Sequence, residues 1–387
     1  MHNFNPNIKF VGTVDDNLDL FEGQYPIPKG VSYNSYLIED ERLAIVDAVD
    51  RRRCEDWMGA LDDALCGRRP DYLIVQHVEP DHSASVVDAL RRFPEMKMVA
   101  TAKAVDMMGH FNPDFDFASR SITVKEGDTL SLGRATLEFF AAPMVHWPEV
   151  MVTLDAADGV LFSADAFGTF APPSSPEAWD DEARRYYCNI VGKYGANVQA
   201  LMKKLVGKPF SAVCPLHGPV LTDNLAHYWK LYDKWSRWEP ETNGVLVAYA
   251  SVYGGTAAAA RRLATMLEEE GEEEVVVMDL SRHDVSYAVA EAFRLSKLVL
   301  CSVTYDAWLF PAMHSFLHHL KAKNFRGRCV GLVENGSWAP IAAKLMRDEL
   351  ASMKDMTVVE PVVTIRSRMN SEDAARLREL AINIKQY

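Results

Sequence analysis

The sequence has no Cys-x-x-Cys pair, since its six cysteines are scattered along 387 residues. This spacing argues against a thiolate metal cage or a redox dithiol and predicts packed free thiols. No apolar run approaches the ~20 residues that a membrane helix needs. The first residues also lack the basic stretch followed by an apolar one that marks a secretion signal. We therefore expect a cytoplasmic protein that does not enter a membrane.

Clustered positive charge is equally scarce. The formal net charge is −13 at pH 7, and only Arg51–Arg53 stand together as a basic group. A protein of this charge repels phosphate backbones, so nucleic acid is not an expected partner. Hydrophobic residues make up 48% of the chain, and its length is enough for two domains that each bury a core.

Candidate metal ligands are concentrated just after the apolar run Tyr72–Val75. Within six residues follow His77, Glu79, Asp81 and His82. A strand that ends in such a loop can aim several side chains at one point. The usual loop of the metallo-β-lactamase fold, His-x-His-x-Asp-His, suits zinc and hydrolysis, whereas a carboxylate at position 79 adds a hard anionic ligand and favours iron or manganese. The alternative is a turn whose polar groups only cap the backbone.

Three further candidates follow apolar runs and open loops in the same way: His146, Asp165 and His217. Their recurrence favours a two-metal site over isolated structural residues. Asp47 also ends a predicted strand, where it can either receive the second N–H of a ligand histidine or serve as a turn residue. Residues 182–205 are predicted to be helical and to cover the metal loop.

The sequence pattern changes after residue 243, where predicted strands and helices alternate five times. This alternation predicts a doubly wound parallel sheet. We therefore divide the chain into a first domain of residues 1–243 and a second of residues 244–387. The glutamate-rich stretch 268–274 is interpreted as a solvated connection.

The second domain carries a candidate phosphate loop after its first strand. Peptide N–H groups, two hydroxyls and a helix N-terminus converge there, but the Walker lysine and the Gly-x-Gly-x-x-Gly pattern are absent, which favours a mononucleotide such as FMN. Two aromatic loops follow later strands and can stack on a flavin ring, with Trp308 as a spare candidate. The proposed cofactor-binding residues are Ser251, Val252, Tyr253, Gly254, Gly255, Thr256, Thr304, Tyr305, Asp306, Asn335, Gly336, Ser337 and Trp338.

With these motifs in both halves, the chain resembles the flavodiiron proteins, also called A-type flavoproteins. The resemblance implies an α/β protein in which a metallo-β-lactamase-like αββα sandwich precedes a flavodoxin-like domain, with FMN and a non-haem pair of iron ions as cofactors. It also implies how the ligands divide: His77, Glu79 and His146 on one iron, Asp81, His82 and His217 on the other, and Asp165 between them. In some members the residue matching His82 does not bind iron. No catalytic residue beyond these ligands is expected.

The activity implied by the resemblance is reduction of dioxygen to water, of nitric oxide to nitrous oxide, or both. Electrons would come from rubredoxin or another small donor, and the expected assembly is a head-to-tail homodimer or a dimer of dimers. His217 follows Asp165 sooner than in the family pattern, which implies a shortened segment over the site. Two alternatives remain: a binuclear zinc metallohydrolase fused to a flavodoxin-like module, and a carrier protein whose metal site is inactive.

Overall fold

The computed structural model describes residues 4–173 and 179–387. The chain forms two compact units, Met1–Asp233 and Lys234–Tyr387. The division falls earlier than the domain limit predicted after residue 243, inside the helix Leu225–Ser236. The segment after that helix is tied to the second unit, where Trp238 Nε1 donates to the Lys323 carbonyl oxygen and Arg328 Nη1 donates to that of Trp238.

The first unit is built on two β-sheets and two short strand pairs. One sheet has six strands in the order β1-β6-β7-β8-β9-β10, and the other has five in the order β11-β12-β13-β14-β15; β2 pairs with β5 and β3 with β4. The strands are β1 (Ile8–Phe10), β2 (Thr13–Asp15), β3 (Leu20–Phe21), β4 (Tyr25–Pro26), β5 (Val31–Tyr33), β6 (Tyr36–Ile38), β7 (Ala44–Val46), β8 (Tyr72–Ile74), β9 (Lys97–Thr101), β10 (Ser121–Val124), β11 (Thr129–Ser131), β12 (Thr136–Ala141), β13 (Met151–Asp155), β14 (Val160–Phe162) and β15 (Ala212–Cys214).

The two large sheets share one hydrophobic core. Tyr36 and Ile74 from the first sheet and Phe139 and Phe162 from the second belong to the same buried cluster. The rings of Tyr36 and Phe162 have their centroids 5.5 Å apart. The strands that meet there are buried along their whole length, which explains why they read as continuous apolar runs rather than as alternating patterns.

Helices accompany these sheets, and several begin at a side-chain cap. Thr101, for example, accepts the Ala104 N–H at 3.1 Å where α4 starts, which satisfies one otherwise unpaired donor. The helices of this part are α1 (Cys54–Leu65), α2 (Pro80–Ser83), α3 (Val86–Arg92), α4 (Ala102–Phe111), α5 (Phe117–Arg120), α6 (Trp179–Tyr186), α7 (Gly195–Leu205) and α8 (Leu225–Ser236), with a π-helical turn at Tyr187–Val191 and 3₁₀ turns at Arg51–Arg53 and Gly192–Tyr194.

The second unit contains a parallel sheet in the order β17-β16-β18-β20-β21. A short strand, β19, pairs antiparallel with the end of β18. The elements are β16 (Thr242–Tyr249), α9 (Gly255–Glu269), β17 (Val275–Asp279), α10 (Val285–Arg294), β18 (Leu295–Tyr305), β19 (Trp308–Leu309), α11 (Pro311–Ala322), β20 (Cys329–Asn335), α12 (Ala342–Ala351), β21 (Thr357–Ile365) and α13 (Ser371–Lys385).

This strand order confirms the predicted doubly wound sheet, and the two sheets of the first unit confirm the predicted sandwich. Every strand of the main sheet runs parallel to its neighbours, so the loops after β16, β18, β20 and β21 lie at one edge. Along residues 4–173 and 179–387, no helix combines the length and the apolar character needed to cross a membrane.

Candidate metal centre and flavin site

The seven predicted metal ligands come together in the first unit. They form two groups in which the potential ligand atoms lie within 4.8 Å of one another: His77, Glu79, His146 and Asp165, and Asp81, His82 and His217. The loop after β8 and the start of α2 supply four of them. The other three stand on loops after β12, β14 and β15. The sandwich fold therefore brings together seven side chains that are spread over 141 residue positions, from 77 to 217.

The first half-site is built around the imidazoles of His77 and His146. Glu79 Oε2 lies 3.2 Å from His77 Nε2 and 3.1 Å from His146 Nε2. Asp165 Oδ2 lies 3.4 Å and 3.0 Å from the same two nitrogens. Ligands bound to one metal at about 2.0–2.2 Å lie roughly 3–3.5 Å apart, so this spacing is that of a metal site.

The second half-site contains His82 and His217, whose Nε2 atoms are 3.0 Å apart. Asp81 Oδ2 lies 3.4 Å from the first and 3.3 Å from the second. Asp165 contributes its other oxygen, Oδ1, 3.4 Å from His82 Nε2. Because each Asp165 oxygen faces a different half-site, this carboxylate has the geometry of a bridging ligand.

The donor set fits a pair of divalent cations. Both carboxylate oxygens of Asp81 and one of Asp165 are buried without a hydrogen-bond partner among the described residues. Burying anionic oxygens without a compensating charge is costly, and two cations would supply that charge. The cluster of carboxylates and imidazoles includes hard oxygen ligands that suit iron and manganese.

Two of the ligand histidines are oriented by groups behind them. His77 Nδ1 lies 2.8 Å from Glu149 Oε1, and His217 Nδ1 lies 2.7 Å from the Ser32 carbonyl oxygen. A carbonyl or carboxylate oxygen can only accept, so each Nδ1 carries the proton and each Nε2 is free to bind a metal. Neither Glu149 nor Ser32 was among the residues predicted for the site.

Asp47 pairs with Gln76 and not with the imidazole of a ligand histidine. Its carboxylate accepts the Gln76 backbone N–H at 2.8 Å and the Gln76 side-chain amide at 3.0 Å. Burial raises the pKa of Asp47 to about 6. Asp47 therefore anchors the start of the ligand loop instead of receiving a ligand imidazole.

Aromatic rings line the second half-site on the side of His217. The ring of Phe21 lies edge-on to that of His217 at 5.2 Å, and Tyr186 is 5.6 Å from the same imidazole. Tyr186 is fully buried, and its hydroxyl has no hydrogen-bond partner among the described residues. It ends α6, inside the segment predicted to cover the site, but its orientation could not be read from the sequence. Tyr186 is therefore a further residue of the site.

The predicted phosphate loop joins β16 to α9. Gly254 has φ 89°, and its N–H donates to Ser251 Oγ at 3.1 Å. A Cβ at Gly255 would lie 2.3 Å from the Ser367 carbonyl oxygen, so this position requires glycine. The turn therefore places backbone N–H groups in front of the N-terminus of α9, an arrangement that can bind a phosphate.

Other predicted flavin residues hold the neighbouring loops together. Thr304 Oγ1 accepts the N–H groups of Ile341 and Ala342, at 2.9 and 3.1 Å. Asn335 exchanges two hydrogen bonds with the backbone of Ser367, at 3.1 and 3.0 Å. These polar side chains therefore shape the loop edge with their hydrogen-bonding groups engaged inside the protein.

Aromatic side chains at the same edge remain exposed. Tyr253 is 99% exposed and Trp338 81% exposed, and Trp308 and Tyr305 are exposed to 54% and 45%. Several large aromatic rings exposed together at one edge form a patch that a planar apolar ligand would cover. This edge of the sheet therefore combines a turn suited to a phosphate with exposed aromatic rings suited to a planar group.

The sequence matches a family profile and several known proteins. A family profile described as ODP family β-lactamase matches residues 31–218. The anaerobic nitric oxide reductase flavorubredoxin of Aliivibrio fischeri is 28% identical over 346 residues, which cover 86% of this chain and 69% of that protein.

Solved structures extend the likeness to both units. The rubredoxin oxygen:oxidoreductase of Desulfovibrio gigas has a TM-score of 0.91 at 26% identity, over 99% of this chain and 97% of that one. The flavodiiron protein of Giardia intestinalis has the same fold, with a TM-score of 0.91 at 22% identity over 99% and 95% of the two chains. The fold expected from the resemblance to the flavodiiron proteins is thereby confirmed over nearly the whole chain, with a β-lactamase-type domain first and a doubly wound sheet after it.

Proposed function

We propose that this protein is an oxidoreductase that reduces dioxygen to water, nitric oxide to nitrous oxide, or both. The observation that carries the proposal is the pair of half-sites joined by Asp165, with a carboxylate at position 79 where a zinc hydrolase has an imidazole. The names of the relatives, a nitric oxide reductase and a rubredoxin oxygen:oxidoreductase, support the same reaction class.

The residues that would hold the metals are the seven of the two half-sites, with Asp165 between them. With two irons and FMN bound, each chain would hold four reducing equivalents, the number that reduction of dioxygen to water requires. Glu79, Asp81 and Asp165 would supply the hard anionic ligands that favour iron. The protein's contribution is to fix these ligands and leave room for a small molecule beside them.

Phe21 and Tyr186 would limit access to that space. Their rings lie against His217 and keep the second half-site apolar on one side, which admits small neutral molecules and excludes bulk water. Burial, with added repulsion from Asp165 and Glu79, raises the pKa of Tyr186 well above its usual value. Its phenol therefore stays protonated and holds an O–H donor at the site.

Electrons would enter through the second unit. We propose that the Ser251–Thr256 loop binds the FMN phosphate and that Tyr305 and Trp338 lie against the ring. A flavin at this exposed edge is accessible to rubredoxin or another small electron donor. Because the flavin and metal sites lie in different units, we also propose a head-to-tail homodimer or a dimer of dimers, which light scattering coupled to size-exclusion chromatography would detect.

A single-turnover experiment tests the reaction. The iron- and FMN-loaded protein is reduced anaerobically, freed of excess reductant and mixed with a known amount of dioxygen, and remaining dioxygen and hydrogen peroxide are measured. We expect one dioxygen consumed per fully reduced chain, without peroxide. A parallel mixture with nitric oxide should produce one nitrous oxide for each pair of nitric oxide molecules consumed.

The Glu79→Ala variant supplies the control, since it should keep FMN while losing the metal centre. A flavin without the metal centre should turn dioxygen into peroxide. Peroxide produced by the wild-type protein in amounts equal to the dioxygen consumed, together with no nitrous oxide, would contradict the proposal. Two tightly held zinc ions and hydrolytic activity would instead support the alternative function as a metallohydrolase.

A further inference from the structure

The two half-sites differ in the hydrogen-bond acceptors that face the Nδ1 atoms of their histidines. His77 Nδ1 donates to the Glu149 carboxylate at 2.8 Å, and His217 Nδ1 donates to a neutral carbonyl, that of Ser32, at 2.7 Å. His82 Nδ1 is buried and has no hydrogen-bond partner within residues 4–173 and 179–387. These three of the four ligand imidazoles thus have, at Nδ1, a charged acceptor, a neutral acceptor and no acceptor among the described residues.

Glu149 is placed to serve His77 alone among the ligand histidines. It follows His146 by three residues, so one short segment supplies a ligand to the first half-site and the support for another. Its Oε1 also accepts the Val78 N–H at 3.0 Å, which fixes the carboxylate beside the ligand loop. Glu149 is only 2% exposed, and its Oε2 has no partner among the described residues.

The acceptor behind His77 is a carboxylate and not a neutral group. Its Oε1 lies 2.8 Å from His77 Nδ1 and 3.0 Å from the Val78 nitrogen, so two N–H groups point at the carboxylate. An anionic acceptor on Nδ1–H increases the electron density at Nε2 and makes the imidazole a stronger ligand. The neutral carbonyl behind His217 does this less, and His82 Nδ1 has no acceptor among the described residues.

We propose that Glu149 is a positioning residue that makes the half-site of His77, Glu79 and His146 the tighter of two metal sites, so that the half-site of His82 releases its metal first. The inference rests on the dinuclear site of the proposed function. The proposed difference in metal affinity between the two half-sites does not depend on electron transfer.

The test is metal release from the full-length protein loaded with Co²⁺ and mixed with excess EDTA, followed by cobalt absorption. The wild type should release cobalt in two phases. In Glu149→Gln, the amide oxygen still accepts from His77 and Val78, so only the charge is lost. Removing such support typically weakens metal binding by 10–100-fold, so the slow phase should accelerate by about that factor while the fast phase stays unchanged.

Glu138→Gln is the matched control, because it makes the same change of charge in the same unit at a surface ion pair with Lys208. Its two phases should match those of the wild type. The absorption band of the slowly released ion should also shift in Glu149→Gln and not in the control, a change that a loss of general stability would not produce.

Two further variants assign the phases and keep the test decisive if Glu149→Gln does not fold. His82→Ala should lose the fast phase and bind one cobalt with the wild-type slow rate, and His77→Ala should lose the slow phase. The proposal is wrong if Glu149→Gln leaves the slow phase within twofold of the wild type, or if His82→Ala removes the slow phase. A protein that shows the expected phases but reduces neither dioxygen nor nitric oxide would refute the proposed function alone.

Discussion

Replacing Asp165 by asparagine should separate the two half-sites. Asp165 Oδ2 faces His146 Nε2 at 3.0 Å, and Oδ1 faces His82 Nε2 at 3.4 Å, so one charged group serves both metals. An asparagine of the same shape keeps one oxygen and loses the charge. If each lost contact is valued as a hydrogen bond to a charged group, about 1.5–3 kcal/mol, binding at each half-site weakens by roughly 10–150-fold.

The assay is cobalt titration of the metal-free protein by calorimetry, with metal content measured after gel filtration. Asp165→Asn should retain at most one metal per chain, while the flavin content stays that of the wild type because Asp165 lies in the other unit. Asp114→Asn changes an exposed carboxylate of the same unit and should bind two metals normally. Two metals bound by Asp165→Asn with wild-type affinity would refute the bridging role.

Other substitutions and conditions test the remaining parts of the site. Glu79→Ala should lose metal and retain FMN, so metal analysis showing full loading would contradict its role as a ligand. Thr256→Ala should weaken FMN binding by about 1.5–3 kcal/mol through loss of a hydroxyl contact to the phosphate, whereas Thr265→Ala, exposed in the same helix, should not; equal affinities in a fluorescence titration would place the phosphate elsewhere. Burial lowers the pKa of His146, but Asp165 and Glu79 outweigh it and raise it to about 9. For His77 and His82 as well, the neighbouring carboxylates outweigh burial and raise the pKa. Metal binding at pH 7 should therefore release protons from the site histidines, and this release should decrease as the pH rises through about 9; calorimetry in buffers of different ionisation enthalpy measures it, and identical heats in all buffers at pH 7 would count against it. Tyr186→Phe should lower turnover by about 2–10-fold without lowering the unfolding midpoint, because the hydroxyl has no partner among the described residues; a lower midpoint with unchanged turnover would show that the hydroxyl serves the fold.

The metal ligands could be predicted because their chemistry is visible in local sequence. Four of them lie within six residues after a strand, and His146, Asp165 and His217 each open a loop that follows an apolar run. The sandwich brings these loop ends together, so position along each strand was enough to infer proximity. The parallel sheet was predictable for the same reason, since each buried strand reads as a short apolar run before a helix.

The supporting contacts could not be predicted, because they join distant parts of the chain. Glu149 meets His77 from 72 positions away, and Ser32 meets His217 from 185. Glutamate and serine are common residue types, and only the folded sandwich shows that these two contact ligand histidines. Asp47 shows the converse, since its position at a strand end suggested an imidazole partner while the closest donors proved to be the amides of Gln76.

The measurement that tests the central claim most directly is the metal and flavin content of the purified protein. Iron, zinc and FMN are quantified per chain after expression in iron-rich medium. We predict two irons and one FMN. Two zinc ions in place of iron, or a protein that binds no FMN, would contradict the assignment as an oxidoreductase of dioxygen or nitric oxide.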